Sequence, residues 1–435
     1  MKARSLGAGI VAVATLLTGC AMGGAPVASA PQLQSSPTAV SGEITVWSWD
    51  VAATALKRLA GSYQKAHPGT TINVVDIGYD NAYDKISVGL QAGSGLPDLL
   101  TIETERLPGY IERFPGKLVD LSGRIDPEKA NFDPSKLAAA SDSSGKVFAM
   151  PWDSGTMALY VRTDYLKDAG VDPASLTTWD AFAKAAEQVK AKTGKTAFDT
   201  DLSTGAMFTQ LMQQQGTGIF NAEGKIVINN EPAVAALTLL RNLQQKGLIN
   251  NVKGWDARVS AAKAGKSAFS PNAVWWSGTL KSEASELSGK WAVQPLPAFT
   301  AGGAQTSNNG GSNLAVPAQA KNPDLAADFA GYALMNADNQ NDMMAKDGLF
   351  PSYLPALSSP IYSEKDPYYG GQAAMKVFAD LTAKIPAISY TGDYAKASEI
   401  VANASVEAIL NGKDPKAALD DAAQTIAKQT DRTIG

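Results

Sequence analysis

Tryptophan residues beside acidic side chains form the pattern in this sequence most able to do specific chemistry. An indole ring can cover the apolar face of a sugar, while neighbouring carboxylates and amides bind its hydroxyl groups. Of the eight tryptophans, six lie in three short contexts: Trp47 and Trp49 with Asp50, Trp152 with Asp153, and Trp275 and Trp276 with Trp255. These contexts predict a carbohydrate-binding site. For Trp179 and Trp291 we expect core packing, the ordinary location of a single tryptophan.

Catalytic motifs are weak by comparison. The single histidine, His67, precedes Pro68-Gly69 and is expected at a helix end, so a Ser-His-Asp triad is disfavoured. Ser62–Lys65 and Lys192–Gly194 match two motifs of penicillin-interacting enzymes, but no SxN motif lies between them. Glu103 and Glu105 alternate on an extended segment, so at most one of them faces a cleft, and which one stays open. We therefore predict that the chain is not an enzyme.

Composition excludes several other classes. The 435 residues include 38 Lys and Arg against 42 Asp and Glu, a net charge of −4 without a long basic run, which disfavours nucleic-acid binding. One cysteine excludes an intramolecular disulfide framework and a Cys-rich zinc site. Neither a P-loop nor a GxGxxG motif after a strand is present, so we expect no bound ATP and no cofactor.

The first residues predict export. Lys2 and Arg4 precede an apolar stretch, Leu6–Leu17, that is too short to span a membrane as a helix. Leu17-Thr18-Gly19-Cys20 then resembles the lipobox of bacterial lipoproteins, in which the cysteine carries the lipid. We predict a signal peptide at 1–19 and a lipid-anchored flexible tether at 20–42, which would hold the protein on the extracytoplasmic face of the cell membrane.

The body begins with alternating strands and helices. Glu43–Trp47, Thr71–Ile77 and Asp98–Ile102 read as strands, and apolar residues at helical spacing lie between them. This order predicts an α/β fold with a parallel sheet. Ligands of such sheets bind beyond the carboxyl ends of the strands, where Trp47 to Asp50 and Glu103 are expected.

The later sequence is more helical. One apolar stripe follows Thr177–Asp180, another runs through Ala233–Gln245, and a third through Val401–Ile409. Ala301–Ser312 is rich in Gly, Ser and Asn and is expected to be a loop or crossover.

Seven segments, in order, resemble extracellular solute-binding protein family 1, the carbohydrate-binding proteins of ABC importers. They are EITVWSWD from Glu43, GLPDLLTIE from Gly95, GKVFAMPWDSGTMALYVRTDYLKDAG from Gly145, TTWDAFAKAAEQV from Thr177, AVWWSGT from Ala273, GGSNLAVPAQAKNPDLAADFAGYAL from Gly310 and GLFPSYLPA from Gly348. The resemblance runs from about residue 43 to the C-terminus.

The resemblance implies a periplasmic-binding-protein-like architecture of type II, in which two α/β lobes are joined by a multi-crossover hinge and enclose the ligand cleft. By that pattern, 43–152 and 272–314 form the N-terminal lobe, and 153–271 and 315–435 form the C-terminal lobe. The implied mechanism is closure around the ligand, followed by delivery to membrane permease subunits with a separate ATPase. Because several tryptophans suit a ligand of more than one ring, we expect an oligosaccharide. We expect a monomer.

The tryptophan contexts and the family motifs together define the candidate ligand-binding residues. They are Trp47, Trp49, Asp50, Glu103, Trp152, Asp153, Trp255, Trp275, Trp276, Gly310, Gly311, Ser312, Phe350 and Ser352. The register at Trp275 and Trp276 stays open, because Pro271–Val274 replaces the small, Gly-containing run usual in the family.

Two other functions are open. A secreted glycoside hydrolase would need two carboxylates at a suitable separation across a cleft. A binding protein for a non-sugar solute, such as an opine, a polyamine or an iron complex, is the closer alternative. An anionic solute would call for a cation near the cleft motifs, where Arg106 is the best candidate.

Overall fold

The computed structural model describes residues 30–33 and 40–435. Residues 1–19 and Cys20 lie outside the described residues, so the signal peptide and the lipidation site stay predictions. In the described part, ten strands form three sheets. The strands are β1 (Gly42–Ser48), β2 (Thr70–Asp76), β3 (Leu99–Glu103), β4 (Met150–Pro151), β5 (Met157–Arg162), β6 (Phe198–Thr200), β7 (Ile249–Asn251), β8 (Phe269–Ala273), β9 (Trp291–Gln294) and β10 (Ser312–Ala315).

The described part of the chain contains sixteen α-helices. They are α1 (Asp50–Ala66), α2 (Tyr79–Ala92), α3 (Leu107–Arg113), α4 (Ser122–Ile125), α5 (Pro134–Ala139), α6 (Thr163–Ala169), α7 (Trp179–Thr193), α8 (Ala206–Gln214), α9 (Glu231–Gln245), α10 (Gly254–Lys263), α11 (Trp276–Glu283), α12 (Pro323–Leu334), α13 (Ala337–Asp347), α14 (Ala374–Thr382), α15 (Tyr394–Ile409) and α16 (Pro415–Thr430). Within residues 30–33 and 40–435, none of the helices has the length and apolar character needed to cross a membrane.

The first lobe is built around a five-stranded sheet with the order β2-β1-β3-β10-β4. β1 pairs in parallel with both β2 and β3, as the alternating strand and helix pattern predicts. Ile44 and Val46 of β1 are buried in one apolar core with Leu56 and Leu59 of α1. The period-2 and period-3.6 patterns of the first 100 residues therefore predict this half of the lobe correctly.

The second lobe holds a three-stranded antiparallel sheet, β8-β5-β9, and the parallel pair β6-β7. The predicted helices of the middle region are confirmed. α7 begins at Trp179, and the Thr178 hydroxyl caps it by accepting a hydrogen bond of 3.2 Å from the Ala181 N–H. α9 begins at Glu231, one residue before Pro232.

Strand pairing corrects the predicted lobe boundaries. We expected 272–314 in the first lobe, but β8 and β9 pair with β5 on either side and so belong to the second. We expected 315–435 in the second lobe, but Leu325 and Phe329 of α12 and Met343 of α13 are buried in the core of the first. The first lobe therefore combines β1–β4 with β10, α12 and α13. These contacts join segments far apart in sequence, which periodicity cannot detect.

In the part of the chain that the structure describes, three segments connect the lobes and lie side by side. We call residues 152–156, 307–312 and 350–352 the crossover segments. The Asn309 N–H donates to the Gly155 carbonyl at 2.8 Å. On the other side of the first segment, the Ser154 N–H donates to the Phe350 carbonyl at 2.8 Å, and the Ser352 N–H donates to the Trp152 carbonyl at 3.0 Å. The multi-crossover connection was expected, although its second and third positions differ from the predicted boundaries.

Part of the predicted tether packs on the folded body. The Asp120 N–H donates to the Pro31 carbonyl at 2.8 Å, and the Leu33 N–H donates to the Asp120 carbonyl at 3.2 Å. Ala30 and Leu33 also contact the apolar core of the first lobe. The expectation of one flexible tether over 20–42 is therefore corrected for these four described residues.

Gly155→Ala tests how closely the crossover segments approach. A Cβ atom at this position would overlap the Asn309 carbonyl oxygen, so the two segments must separate. We expect a loss of about 1–3 kcal/mol in the free energy of unfolding, measured by urea or thermal denaturation.

Gly61→Ala is the matched control. Gly61 lies inside α1, and a Cβ atom added to it would meet no heavy atom within 4 Å other than those of its chain neighbours and of the backbone of its own helix. This substitution should raise the free energy of unfolding by up to about 1 kcal/mol. Equal unfolding midpoints for the two variants would contradict the close approach at Gly155.

Candidate functional site

A cavity of about 390 Å³ lies between the two lobes. The first lobe contributes the turn after β3, the second crossover segment contributes its central residues, and the second lobe contributes α8 and α15. The lining residues are Thr104, Glu105, Arg106, Thr204, Ala206, Thr209, Gln210, Gln213, Asn308, Asn309, Gly310, Ile388, Tyr390, Tyr394, Ala395, Ser398, Glu399 and Ala402. The volume is in the range of small-molecule sites, about 300–1,000 Å³.

The cavity is polar and weakly acidic. Its charged lining residues are Glu105, Glu399 and Arg106, and amides and hydroxyls supply the other hydrogen-bonding groups. Removal from water raises the pKa of Glu105, and the Glu103 carboxylate raises it further, while Arg106 opposes the shift. Because the described lining has one cationic side chain and two carboxyl groups, the cavity does not favour an anionic ligand. Among residues 30–33 and 40–435, no cluster of three or more His, Cys, Asp or Glu side chains could hold a metal ion.

Two tyrosines supply the aromatic surface of the cavity. The rings of Tyr390 and Tyr394 have centroids 4.7 Å apart and are inclined by 65°. Burial raises the pKa of both phenols above the ordinary value, and the Glu105 carboxyl adds to the effect. Both side chains therefore stay protonated at neutral pH. Each can offer a ring face to an apolar surface and a hydroxyl to a polar group.

Trp49 and Glu103 lie at the carboxyl ends of β1 and β3, as predicted, and Tyr83 of α2 links them. The Tyr83 hydroxyl donates to Glu103 Oε2 at 2.7 Å, and its ring centroid is 5.8 Å from that of Trp49. The Arg106 guanidinium carbon lies 5.0 Å from the centre of the Tyr83 ring. The sequence did not decide whether Glu103 or Glu105 faces the cleft. In the structure Glu105 lines the cavity, whereas Glu103 does not and instead accepts the hydrogen bond from Tyr83.

Trp255, Trp275 and Trp276 form the aromatic cluster that their spacing suggested. Centroid distances from Trp255 are 5.8 Å to Trp275 and 5.6 Å to Trp276. Trp255 is 49% exposed, whereas Trp276 is 1% exposed. The Trp275 Nε1–H donates to the Asn309 carbonyl at 2.9 Å, so this ring lies against the segment that lines the cavity. Trp275 also lines a second cavity of about 630 Å³.

Four candidate residues are enclosed in the cores and line no part of the cavity. Trp152 has no exposed surface and packs in the core of the first lobe. Trp276 and Phe350 pack in an apolar cluster of the second lobe. Ser352 is buried, and its hydroxyl donates to the Trp152 carbonyl at 2.9 Å. The expectation that these four side chains face a ligand is corrected, because Trp152, Phe350 and Ser352 are enclosed on crossover segments and Trp276 is enclosed at the start of α11.

Three predicted residues lie on the crossover segments with backbone roles. Gly310 lines the cavity. The Gly311 carbonyl accepts hydrogen bonds from the Thr104 N–H at 3.0 Å and from the Thr104 hydroxyl at 2.8 Å. The Ser312 N–H donates to Asp153 Oδ1 at 2.7 Å, so Asp153 joins two crossover segments.

Trp47 and Asp50 lie apart from the cavity lining. Trp47 is half-buried and lines a separate depression of about 360 Å³ beside α2. Asp50 is exposed and begins α1 with a φ of 48°, a left-handed value that costs energy in a residue with a side chain. The structure does not bring either residue together with Tyr390 and Tyr394.

The two tyrosines and the polar residues of α8 are site residues absent from the sequence prediction, which had left the choice between Glu103 and Glu105 open. One signal could have identified the tyrosines. Tyr390 to Tyr394 reads Tyr-Thr-Gly-Asp-Tyr, an aromatic and acidic context like the one used to select the tryptophans. The glutamines of α8 carry no such signal, because a polar residue on a helix ordinarily faces water.

Glu112 of α3 joins the two lobes outside the cavity lining. Its carboxylate accepts hydrogen bonds from the Gly392 N–H and from the Arg432 guanidinium, both in the second lobe. Arg432 Nε also donates to Asp393 Oδ2 at 2.7 Å. We call Glu112, Gly392 and Arg432 the rim contact. It joins the two lobes at Gly392, which lies between Tyr390 and Tyr394 in sequence.

Two α/β lobes joined by three crossover segments, with a polar and aromatic cavity between them, define a solute-binding protein. Residues 48–340 match the family described as bacterial extracellular solute-binding protein, and the chain belongs to that family. The family and the two-lobe fold predicted from the seven motifs are thus confirmed. Its members are extracellular binding proteins and not enzymes, so the chain works outside the cytoplasm.

The chain is similar over most of its length to named binding proteins. It is 32% identical over 394 residues to the lactose-binding protein of Rhizobium radiobacter, covering 88% of this chain and 92% of the relative. It is 28% identical over 394 residues to the arabinooligosaccharide-binding protein of Bacillus subtilis (strain 168), covering 88% and 91%.

Solved structures share the fold. The crystal structure of an extracellular solute-binding protein family 1 member has a TM-score of 0.78 at 22% identity, covering 89% of this chain and 99% of the other. The binding protein of B. animalis subsp. lactis Bl-04 in complex with beta-1,6-galactobiose has a TM-score of 0.72 at 24% identity, covering 91% and 100%.

Glu112→Gln tests the rim contact. The change removes the charge that attracts Arg432 and keeps the shape of the side chain. Because Glu112 is half-exposed, we expect closure to lose about 0.5–1 kcal/mol. The radius of gyration of the unliganded variant, measured by small-angle X-ray scattering at low salt, should exceed that of the wild type.

Glu187→Gln is the matched control, since Glu187 pairs with Lys246 within the second lobe. It should leave the radius of gyration unchanged. High salt should bring the wild type toward the Glu112→Gln value, because exposed ion pairs are screened. A Glu112→Gln variant as compact as the wild type at low salt would refute a role in closure.

Proposed function

We propose that this protein binds a short oligosaccharide outside the cell and delivers it to the permease of an ABC importer. The observation that carries the proposal is the cavity between the lobes, in which two tyrosine rings lie with amides, hydroxyls and carboxyls. A sugar has an apolar C–H face and a rim of hydroxyl groups, and this lining offers a partner for each.

The charges of the cavity favour a neutral ligand over an anion. Arg106 contributes to the lining, as the non-sugar alternative would require, but Glu105 and Glu399 outnumber it. Carboxylates accept strong hydrogen bonds from hydroxyl groups, so an acidic cavity suits a polyol. Two curated relatives carry lactose- and arabinooligosaccharide-binding in their names, which supports an oligosaccharide as the ligand.

Closure follows from the position of the cavity. A sugar in contact with Thr104 and Tyr394 touches both lobes, so it binds the closed state more tightly than the open state. The difference in affinity drives closure about the crossover segments. The closed body then docks, as a monomer in our proposal, on a permease whose separate ATPase subunits supply the energy.

A lipid on Cys20 would keep the protein at the membrane. The lipobox-like Leu17–Cys20 supports this proposal. The docking of Pro31 and Leu33 on the first lobe leaves residues 21–29 to connect the lipid with the body. The ten Cα–Cα steps from Cys20 to Ala30 span about 35 Å at most, so the body would stay near the membrane surface.

Calorimetry and thermal shift with a sugar panel test the ligand class. The panel contains lactose, β-1,6-galactobiose, arabinotriose and maltotriose, with spermidine and citrate as non-sugar arms. We expect one sugar to raise the melting temperature in proportion to ln(1 + [L]/Kd). A response to spermidine or citrate and to no sugar would refute the carbohydrate proposal.

Tyr394→Leu tests the aromatic surface. Leucine keeps an apolar side chain but removes the ring face and the hydroxyl, so we expect about tenfold weaker binding of the sugar identified in the panel. Tyr332→Leu is the control, because Tyr332 is half-buried in the first lobe against Tyr63 and His67 and lines no part of the cavity. Equal affinities for the two variants would contradict a ligand at Tyr394.

Cys20→Ser tests the anchor in cells that process lipoproteins. The wild type should fractionate with membranes and incorporate labelled palmitate, and the variant should do neither. Release of wild-type protein into the medium without label would refute the lipid anchor and leave the sugar-binding proposal untouched.

A further inference from the structure

Lys136 of α5 is a buried lysine at the junction of the two lobes. Its side chain has no exposed surface, and its ammonium group donates a hydrogen bond to the Thr104 hydroxyl. A Cβ atom on Gly311 would lie 2.7 Å from Lys136 Nζ, so the amine is in direct contact with the second crossover segment. Burying a lysine costs stability unless a partner or a function compensates.

The start of α5 touches all three crossover segments. Asp133, its N-cap, accepts a hydrogen bond of 2.6 Å from the Ser154 hydroxyl on the first segment. The Asp133 N–H donates to the Ser352 carbonyl on the third segment at 2.8 Å. Lys136 completes the set by reaching Thr104, whose hydroxyl donates to the Gly311 carbonyl on the second segment.

Thr104 connects this junction with the cavity, because it lines the cavity and its hydroxyl accepts the hydrogen bond from Lys136. Four carboxyl groups act electrostatically on the amine: Asp133 of α5, Asp153 of the first crossover segment, and Glu103 and Glu105 at the end of β3. The second and third crossover segments contain no ionisable side chain. The positive charge of protonated Lys136 therefore attracts carboxyl groups on α5, on the first crossover segment and at the end of β3.

We propose that Lys136 is a positioning residue for sugar capture: its protonated amine holds Thr104 and the crossover segments in the closed-cavity arrangement, and loss of the proton weakens binding. The inference rests on the proposed sugar-binding function of the same cavity.

Burial sets the pH at which this happens. It lowers the pKa of Lys136 to about 8, although the carboxyls of Asp153 and Asp133 oppose the shift. The amine is therefore protonated below about pH 8 and neutral above it. Tyr390 and Tyr394, whose pKa values lie above the ordinary value of tyrosine, do not titrate in this range. Affinity should therefore fall as the pH rises through the pKa of Lys136.

Stability should change in the opposite direction. A lysine whose pKa is lower in the folded than in the unfolded state leaves the unfolded chain with more bound protons between the two pKa values. Its contribution to the free energy of unfolding consequently rises with pH above about pH 8. If Lys136 only stabilised the fold, its deprotonation would increase the free energy of unfolding without weakening sugar binding.

The experiment uses isothermal titration calorimetry with the sugar of the panel that binds most tightly to the wild type at pH 7, lactose being tried first. We expect roughly tenfold weaker binding at pH 9 than at pH 7, with uptake of up to about one proton per sugar at pH 9. The proton count comes from titrations in two buffers of different ionisation enthalpy. Thermal denaturation at each pH verifies that the protein stays folded.

Lys136→Met should bind weakly at both pH values and take up no proton. Lys129→Met, which alters a partly exposed lysine of the first lobe, is the control and should keep the wild-type pH profile. If Lys136→Met does not fold, the number of protons that the wild type takes up per bound sugar at pH 9 tests the proposal. Binding to the wild type with the same affinity at pH 7 and pH 9 and no proton uptake would overturn the role of Lys136 alone. A wild type that binds no sugar would overturn the proposed function and this inference together.

Discussion

Backbone pairing among the three crossover segments is the constraint on which the rest of the structure depends. The first segment lies between the other two and hydrogen-bonds to both, through Gly155 on one side and through Trp152 and Ser154 on the other. Gly155 makes the close approach possible, because a Cβ atom there would overlap the Asn309 carbonyl. Since Asn308 to Gly310 also line the cavity, the backbone that joins the lobes forms one wall of the binding site.

The contacts between the lobes differ in strength. The crossover segments are buried or half-buried and are joined by several backbone hydrogen bonds. The rim contact of Glu112 with Gly392 and Arg432 is partly exposed, and an ion pair of that kind contributes about 1 kcal/mol or less. A contribution of that size shifts an open and closed equilibrium by only about fivefold. A ligand that contacts both lobes must therefore supply most of the free energy of closure.

The sequence predicts the elements of this fold better than their assignment to lobes. β1 to β3, α1, α7 and α9 follow from residues close together in sequence, whose periodicity or capping is a local property. The placement of β8 and β9 beside β5, and of α12 in the first lobe, depends on pairing between segments more than 100 residues apart. The lobe boundary expected at residue 272 was wrong for that reason, although the two-lobe fold itself followed from the motifs.

Site prediction from aromatic residues has a related limit. Trp152 and Trp275 both belong to the contexts selected from the sequence, but packing encloses the first in a core and leaves the second against the cavity wall. An indole ring near the junction of two lobes can stabilise that junction or meet a ligand, and its neighbours in sequence do not distinguish the two. Glu105 and Tyr394 reach the cavity because the turn after β3 and the start of α15 face each other across it. That arrangement is a property of the whole fold.

The ionisable groups at the junction lower the free energy of unfolding, because they are buried. Burial raises the pKa of Asp133 and Asp153 and lowers that of Lys136, so each of the three is destabilised in its charged form. Apolar side chains of similar volume would avoid that cost. They could not, however, accept hydrogen bonds from Ser154 and the Ser312 N–H, or donate one to Thr104. Each of these bonds orients a crossover segment or the adjoining cavity wall. The buried charges therefore reduce stability but fix the geometry of the crossover segments, where the two lobes meet around the ligand.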